Sequence, residues 1–245
     1  MQTLTEYKVN LVCNPVAETC IFSEEECSII SHTLIKLKDK WKSRTNNYFM
    51  SLGALSYIDE CQDYINTLKY FNPILWDNFK WVYEKIQFYY SERINKPIEY
   101  WPYSRALPVF HIFQEAEFIN KNKWAASIHT DSPHLKHTWP NTIQSIFTFT
   151  ISIQSPKEGS GLRFWTDTAS FNNKSPIYYE YCSDDVKRKL KEEAIYIPYK
   201  IGYIYEHTGD LYHQIATEGS FSFDEKRISL QGHLIELDKA IILYV

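Results

Sequence analysis

Along the first hundred residues, apolar positions recur at intervals of three and four. Cys27, Ile30, Leu34, Leu37 and Trp41 make one such stripe, which predicts a helix with a single buried face. Ser23 and Glu26 form a capping box at its start, each side chain satisfying a backbone N–H of the first turn. A second helix is expected over 59–70, stopped near Pro73. A third carries Leu75, Phe79, Val82, Ile86 and Tyr90 on one face and ends before Pro97. Stripes of this kind ordinarily face the chain's own core, and docking of a partner helix is their less common use.

From about residue 99 the period changes to two. Phe147, Phe149, Ile151 and Ile153 alternate with Thr148, Thr150, Ser152 and Gln154, a strand with one apolar and one wet face. Runs at 109–113, 195–199, 202–205, 211–216, 227–234 and 240–245 read as further strands. Between them 183–194 reads as an inserted helix, with Ser183 as its cap and Asp184 and Asp185 at its positive end. Helices first and many short strands afterwards predict a mainly β fold with N-terminal helices, of the α+β class. One unit over 1–245 is expected, with a helical support region at 1–98 and a β core at 99–245.

Composition narrows the partners. With 44% hydrophobic and 16% aromatic residues the chain sustains an ordinary core. A net charge of −4 with scattered Lys and Arg argues against a general nucleic-acid binder, which clusters cations to displace counterions from phosphate. The one basic run, 187–191, is flanked by acids. Five cysteines at irregular spacing fit neither a zinc site nor a closed disulfide set. The segment from Met1 to Cys20 has no basic stretch followed by an apolar run. No stretch approaches the ~20 apolar residues of a membrane span. The expectation is a cytoplasmic protein with no nucleic-acid or membrane partner, its oligomeric state open.

The candidate chemistry begins at His129-Thr130-Asp131. Residues i and i+2 of a strand share a face, so an imidazole and a carboxylate there reach one metal. Alone, the pair is close to a chance event in a chain with eight His and eleven Asp, and a hydrogen-bonded loop His is the plainer reading. His213 follows in a polar turn that runs into an apolar strand. Fourteen residues later, Arg227, Ser229, Gln231 and His233 occupy one face of an alternating strand. An Arg inside a barrel is costly unless an anion pairs with it. A carboxylate ligand held by Arg227 and the Ser229 hydroxyl meets that need, while a protein carboxylate or a rim position is the alternative.

Taken together, His129-x-Asp131, His213 and Arg227-x-Ser229 resemble the His-x-Asp…His…Arg-x-Ser pattern of the Fe(II)/2-oxoglutarate dioxygenases, over about 105–237. Gly161-Leu162-Arg163-Phe164-Trp165 resembles the strand these enzymes carry between the two halves of the motif. The resemblance implies a double-stranded β-helix, or jelly-roll, core flanked by helices. It also implies His129, Asp131 and His213 as iron ligands, with Arg227 and Ser229 holding the distal carboxylate of 2-oxoglutarate. O2 would then be consumed, succinate and CO2 released, and a second substrate hydroxylated or desaturated. Related halogenases replace the carboxylate ligand with a small residue, so Asp131 favours hydroxylation or desaturation. The 84-residue gap between His129 and His213 and the low count of seven glycines depart from the common pattern.

Several other residues are candidates for the same pocket. His233, Thr148 and Thr150 are candidate co-substrate contacts. His134, from a loop over the iron, and Arg105 and Arg163 are candidate substrate contacts, with ordinary salt bridges as the alternative for the two arginines. His137, His111 and His207 have structural readings of at least equal weight. The substrate class expected is a small molecule such as an amino acid or specialised metabolite. A protein or peptide hydroxylase is the second reading, and a cupin-like metal protein without 2-oxoglutarate is the third. Arg227-x-Ser229 speaks against the last.

Overall fold

The computed structural model describes residues 15–45, 49–114, 126–167, 176–217, 222 and 224–245; Cys13 and most of the Met1 to Cys20 segment lie outside them. The strands are β1 (Ala17–Cys20), β2 (Lys42–Thr45), β3 (Phe49–Leu52), β4 (Ile98–Tyr100), β5 (Val109–Gln114), β6 (Ser145–Gln154), β7 (Ser160–Trp165), β8 (Ile195–Pro198), β9 (Tyr203–Thr208), β10 (Tyr212–Thr217), β11 (Lys226–Glu236) and β12 (Ile241–Tyr244). The helices are α1 (Glu24–Lys36), α2 (Cys61–Ser91) and α3 (Asp184–Glu193). A nine-stranded sheet has the order β1-β9-β6-β11-β5-β3-β2, with β12 also pairing β11 and β4. A three-stranded sheet, β10-β7-β8, faces it. Leu162 and Phe164 of the small sheet pack against Tyr205 of the large one, together with Val16 and Tyr199. This is a jelly-roll core, mainly antiparallel, with helices laid on one side.

The helices cover the apolar face of the large sheet. Cys27, Ile30 and Leu34 of α1 and Leu75, Phe79, Val82 and Ile86 of α2 share one core with Phe147, Phe149, Ile151, Ile228, Leu230 and Leu234. Each such side chain taken from water stabilises the fold by about 1.5–3 kcal/mol, so this layer carries much of the stability. The Ser23/Glu26 capping box is present in both directions. Ser183 caps α3 through the Val186 N–H.

Two expectations change. The helix stop at Pro73 does not occur: α2 runs through Pro73, and its backbone leaves helical angles only at Phe79. An interior proline costs about 3 kcal/mol. Here the buried stripe Leu68, Phe71, Leu75 and Phe79 continues across it, and burial of those side chains outweighs that cost. Asn72 adds to the anchoring, donating to the Pro102 and Arg105 carbonyls and accepting from the Leu107 N–H. The first hundred residues are also not purely helical. Strands β1, β2 and β3 extend the large sheet, β1 against β9 and β3 against β5.

The wet face of β6 is the inner face of the jelly roll. Register places Thr148 beside His233 and His207, Thr150 beside Gln231 and Tyr205, and His111 beside Ser229 and Ser51. These groups line the space between the sheets. The described cysteines, Cys20, Cys27, Cys61 and Cys182, are free thiols. Among the described residues no helix is long and apolar enough to cross a membrane.

Candidate active site

At one end of the jelly roll the backbone brings two distant segments together. His129 and His213 form an isolated antiparallel bridge, exchanging N–H to carbonyl hydrogen bonds of 2.9 Å in both directions. Directly paired residues project to one side, and the two rings stand 4.5 Å apart. Asp131, two residues on, is fixed by its own N–H to the Gly209 carbonyl at 2.8 Å. One donor atom from each of His129, Asp131 and His213 falls within 4.8 Å of the others. Nε2 of His213 lies 3.5 Å from Asp131 Oδ2, and Nε2 of His129 lies 3.8 Å from Oδ1.

Hydrogen bonds behind these rings choose the tautomer. Nδ1 of His129 meets the Ser127 carbonyl at 3.1 Å, and Nδ1 of His213 meets the Leu211 carbonyl at 2.9 Å. A carbonyl only accepts, so Nδ1 carries the proton and the Nε2 lone pair faces Asp131. Burial pushes both imidazoles below their ordinary pKa, His129 also through His213, which keeps them neutral. Burial works to raise Asp131, but His213, His233, His129 and His207 together hold it below the usual carboxylate range. Two neutral imidazoles and a carboxylate on one side fit a divalent metal with the remaining positions open.

Thr148 fixes the carboxylate. Its hydroxyl lies 2.7 Å from Asp131 Oδ2 and 3.0 Å from His233 Nδ1. The single hydroxyl hydrogen goes to the carboxylate, so His233 Nδ1 is the donor to Thr148. Thr148 therefore reaches Asp131 directly rather than facing Arg227, and His233 acts through it.

Further along the same inner face sits Arg227, 2% exposed. Its Nε and Nη1 have no hydrogen-bond partner among the described residues, and its ring neighbours are Phe113 at 5.2 Å and Tyr199 at 5.4 Å. Burial lowers its pKa, opposed by a hydrogen bond to the Tyr199 hydroxyl and not by any described carboxylate; guanidinium stays charged in proteins nonetheless. Thr150 hydrogen-bonds Tyr199, so it meets Arg227 at one remove. Ser229 is buried beside it. A buried cation with two unused N–H donors fits a carboxylate ligand.

His111, opposite Ser229, hydrogen-bonds the Tyr57 hydroxyl at 3.1 Å. Tyr57 stands on a turn held by Asp59, which accepts from the Leu55 N–H and pairs with Arg44. His207 is buried with its ring 4.5 Å from His213. His134 lies on a short turn whose carbonyl accepts from Trp139 Nε1, and Arg105 stacks on Trp139 at 4.5 Å. Arg163 is not brought to the site. It stands opposite Gln214, whereas its neighbour Phe164 stands opposite His213; adjacent residues of a strand face opposite ways, and Arg163 Nη1 donates to Gln214 on the far side. Tyr57, Tyr199 and Tyr244 were not legible as site residues. Tyr199 and Tyr244 each lie at the end of a candidate strand, which was the available signal.

One structure that matches, at TM-score 0.50, is HygX from Streptomyces hygroscopicus with nickel, 2-oxoglutarate and hygromycin B bound, at 10% identity over 93% of this chain and 86% of that one. The chain has the double-stranded β-helix fold of the iron/2-oxoglutarate oxygenases. Within this fold, the non-heme α-ketoglutarate-dependent carbocyclase SnoK from nogalamycin biosynthesis matches at TM-score 0.48 and 11% identity, over 94% of this chain and 83% of that one. A Pseudomonas putida prolyl-4-hydroxylase matches at 0.41 and 8%, over 96% and 99%. No family model and no curated protein sequence matches the chain.

Buried neutral histidines set a pH dependence. His111 is depressed from 6.5 to about 3 and His233 to about 4, both chiefly by burial. Between those values and 6.5 the unfolded chain holds more protons than the folded one, so stability falls as pH falls. The melting temperature of metal-free protein is expected to drop steadily from pH 6.5 to about 5.5, above the range where most carboxylates titrate. A flat curve there contradicts the buried neutral imidazoles.

Proposed function

We propose that the chain is a non-haem Fe(II)/2-oxoglutarate-dependent oxygenase that hydroxylates a small molecule, with 1–245 acting as one catalytic unit. The observation that carries this reading is Arg227, buried on the same inner face as the triad with no carboxylate partner among the described residues. Charge supports it. Asp131 and Arg227 cancel, so a divalent metal leaves an excess that a dicarboxylate neutralises. A cupin-like metal protein has no use for the arginine.

In this reading His129, Asp131 and His213 hold the metal on one side, and Thr148 keeps the carboxylate turned toward it. Arg227 donates Nε–H and Nη1–H to the distal carboxylate of 2-oxoglutarate, and Ser229 adds its hydroxyl. Tyr199, bonded to Arg227, holds the guanidinium in place. Bound iron would supply the redox chemistry that couples oxidative decarboxylation of 2-oxoglutarate to oxidation of the second substrate. The neutral imidazoles of His233 and His207 enclose the metal side without adding charge.

Anaerobic addition of Fe(II) and then 2-oxoglutarate is expected to give a weak visible charge-transfer band, with succinate formed on admitting air. Wild-type protein that gives neither is not such an oxygenase. Thr148→Val keeps the shape and deletes the hydrogen bond to Asp131; Fe(II) affinity should fall about 10–100-fold, the usual effect of losing an outer hydrogen bond to a metal ligand. Unchanged affinity means Thr148 does not orient the carboxylate.

A further inference from the structure

Beside the triad, a second group of polar atoms lacks partners. The Arg105 guanidinium lies over Trp139, its Nη1 and Nη2 donate to the Ser104 and Thr138 carbonyls, and its buried Nε has no hydrogen-bond partner among the described residues. His137 Nε2 and the Tyr244 hydroxyl are likewise buried and unpartnered. These side chains form one cluster. The His137 ring is 5.1 Å from Tyr64 and 5.7 Å from Tyr244, and Trp139 is 5.2 Å from Tyr244.

The cluster connects to the site already described. Tyr244 is fully buried and stands opposite His233, ring to ring at 5.7 Å, and His233 leads through Thr148 to Asp131. At its other end Arg105, His137 and Trp139 are only partly buried, so it opens to solvent. The loop is held in shape, with Trp139 Nε1 and the His137 N–H both donating to the His134 carbonyl at 3.0 and 3.2 Å. Tyr64 and Tyr244, both neutral, are the groups that act on the Arg105 charge, and no described carboxylate does.

Buried donors without acceptors are costly, and a fixed cation against aromatic rings is a binding surface for an anion on a flat body. We propose that Arg105, His137 and Tyr244 form the subsite for a carboxylate of the prime substrate, a small acid whose flat apolar body lies against Trp139. This rests on the oxygenase reading for the word substrate, not for the binding. One guanidinium among neutral groups balances one negative charge. A phosphate dianion would leave a charge uncompensated against aromatic walls.

The test is calorimetric titration of the full chain with benzoate, benzamide and phenylphosphate. Benzoate should bind at least about tenfold more tightly than benzamide, the usual value of a charge-assisted hydrogen bond, and more tightly than phenylphosphate. Arg105→Gln should remove that advantage, and Arg227→Met should leave it intact. No benzoate binding, equal binding of benzoate and benzamide, tighter phenylphosphate, or binding lost in Arg227→Met but kept in Arg105→Gln each overturns the subsite. If Arg105→Gln lowers the melting temperature sharply, Tyr244→Phe decides: it removes one unpartnered hydroxyl and must weaken benzoate more than benzamide. Arg105-dependent benzoate binding without the charge-transfer band would remove the oxygenase reading alone. The band without discrimination between benzoate and benzamide would remove the subsite alone.

Discussion

Arg227→Met should leave the ligand-free protein at least as stable as wild type and abolish its response to 2-oxoglutarate. Arg227 is 2% exposed, with two N–H donors unpaired. The folded protein therefore carries the desolvation of a guanidinium with no compensating ion pair among the described residues. Replacing such a group with an apolar side chain of similar length is neutral or stabilising. Binding moves the other way. Loss of one partner of a buried, hydrogen-bonded charge pair costs about 2–5 kcal/mol, so 2-oxoglutarate affinity should fall between roughly 30-fold and several thousand-fold. Thermal melts with and without 2-oxoglutarate, in the presence of Mn(II), measure both effects. A variant that melts several degrees lower while still being stabilised by 2-oxoglutarate would make Arg227 a structural residue.

His213→Ala and Asp131→Ala should each abolish the charge-transfer band and lower Fe(II) affinity by more than about 100-fold, beyond the range for losing an outer-sphere partner. The fold should survive. The bridge joining the two segments is made by the His129 and His213 main chains, and alanine retains both hydrogen bonds. Near-wild-type circular dichroism with metal binding lost is the expected pair of results. Retention of tight Fe(II) binding in His213→Ala would shift the ligand role to His207, whose ring lies 4.5 Å from that of His213.

What was legible in the sequence follows from short-range physics. The Ser23/Glu26 cap, the α1 stripe from Cys27 to Leu34 and the alternation in β6 and β11 are local patterns and appear where their period places them. Leu37 and Trp41 of the expected stripe lie beyond the helix end at Lys36. His129, Asp131 and His213 were readable as a group from their residue types and order, and they do come together, although His129 makes only an isolated bridge and Asp131 lies outside any strand. Four things were not readable. Pro73 argues locally for a stop, while the apolar stripe that overrides it matters only once the sheet is present. Strands β1 to β3 are four residues each and owe their form to the edges they join. Arg163 was a candidate substrate contact as a cation near the predicted barrel, and only the pairing with Gln214 reveals that it faces away. Tyr57, Tyr199 and Tyr244 depend on tertiary contacts that leave no trace in spacing.

The large sheet separates two jobs. Its apolar side, under α1 and α2, holds the stabilising contacts, while the side facing the small sheet is lined by Thr148, Thr150, Ser229, His233, His111 and Arg227. Exchanges on the lined side away from the metal ligands leave that apolar layer untouched. The chain can therefore acquire a new ligand preference without a large loss of folding stability, and divergence should concentrate on alternate positions of β5, β6, β11 and β12. Among homologues, an odd–even rhythm of change along those strands is the mark such a division would leave.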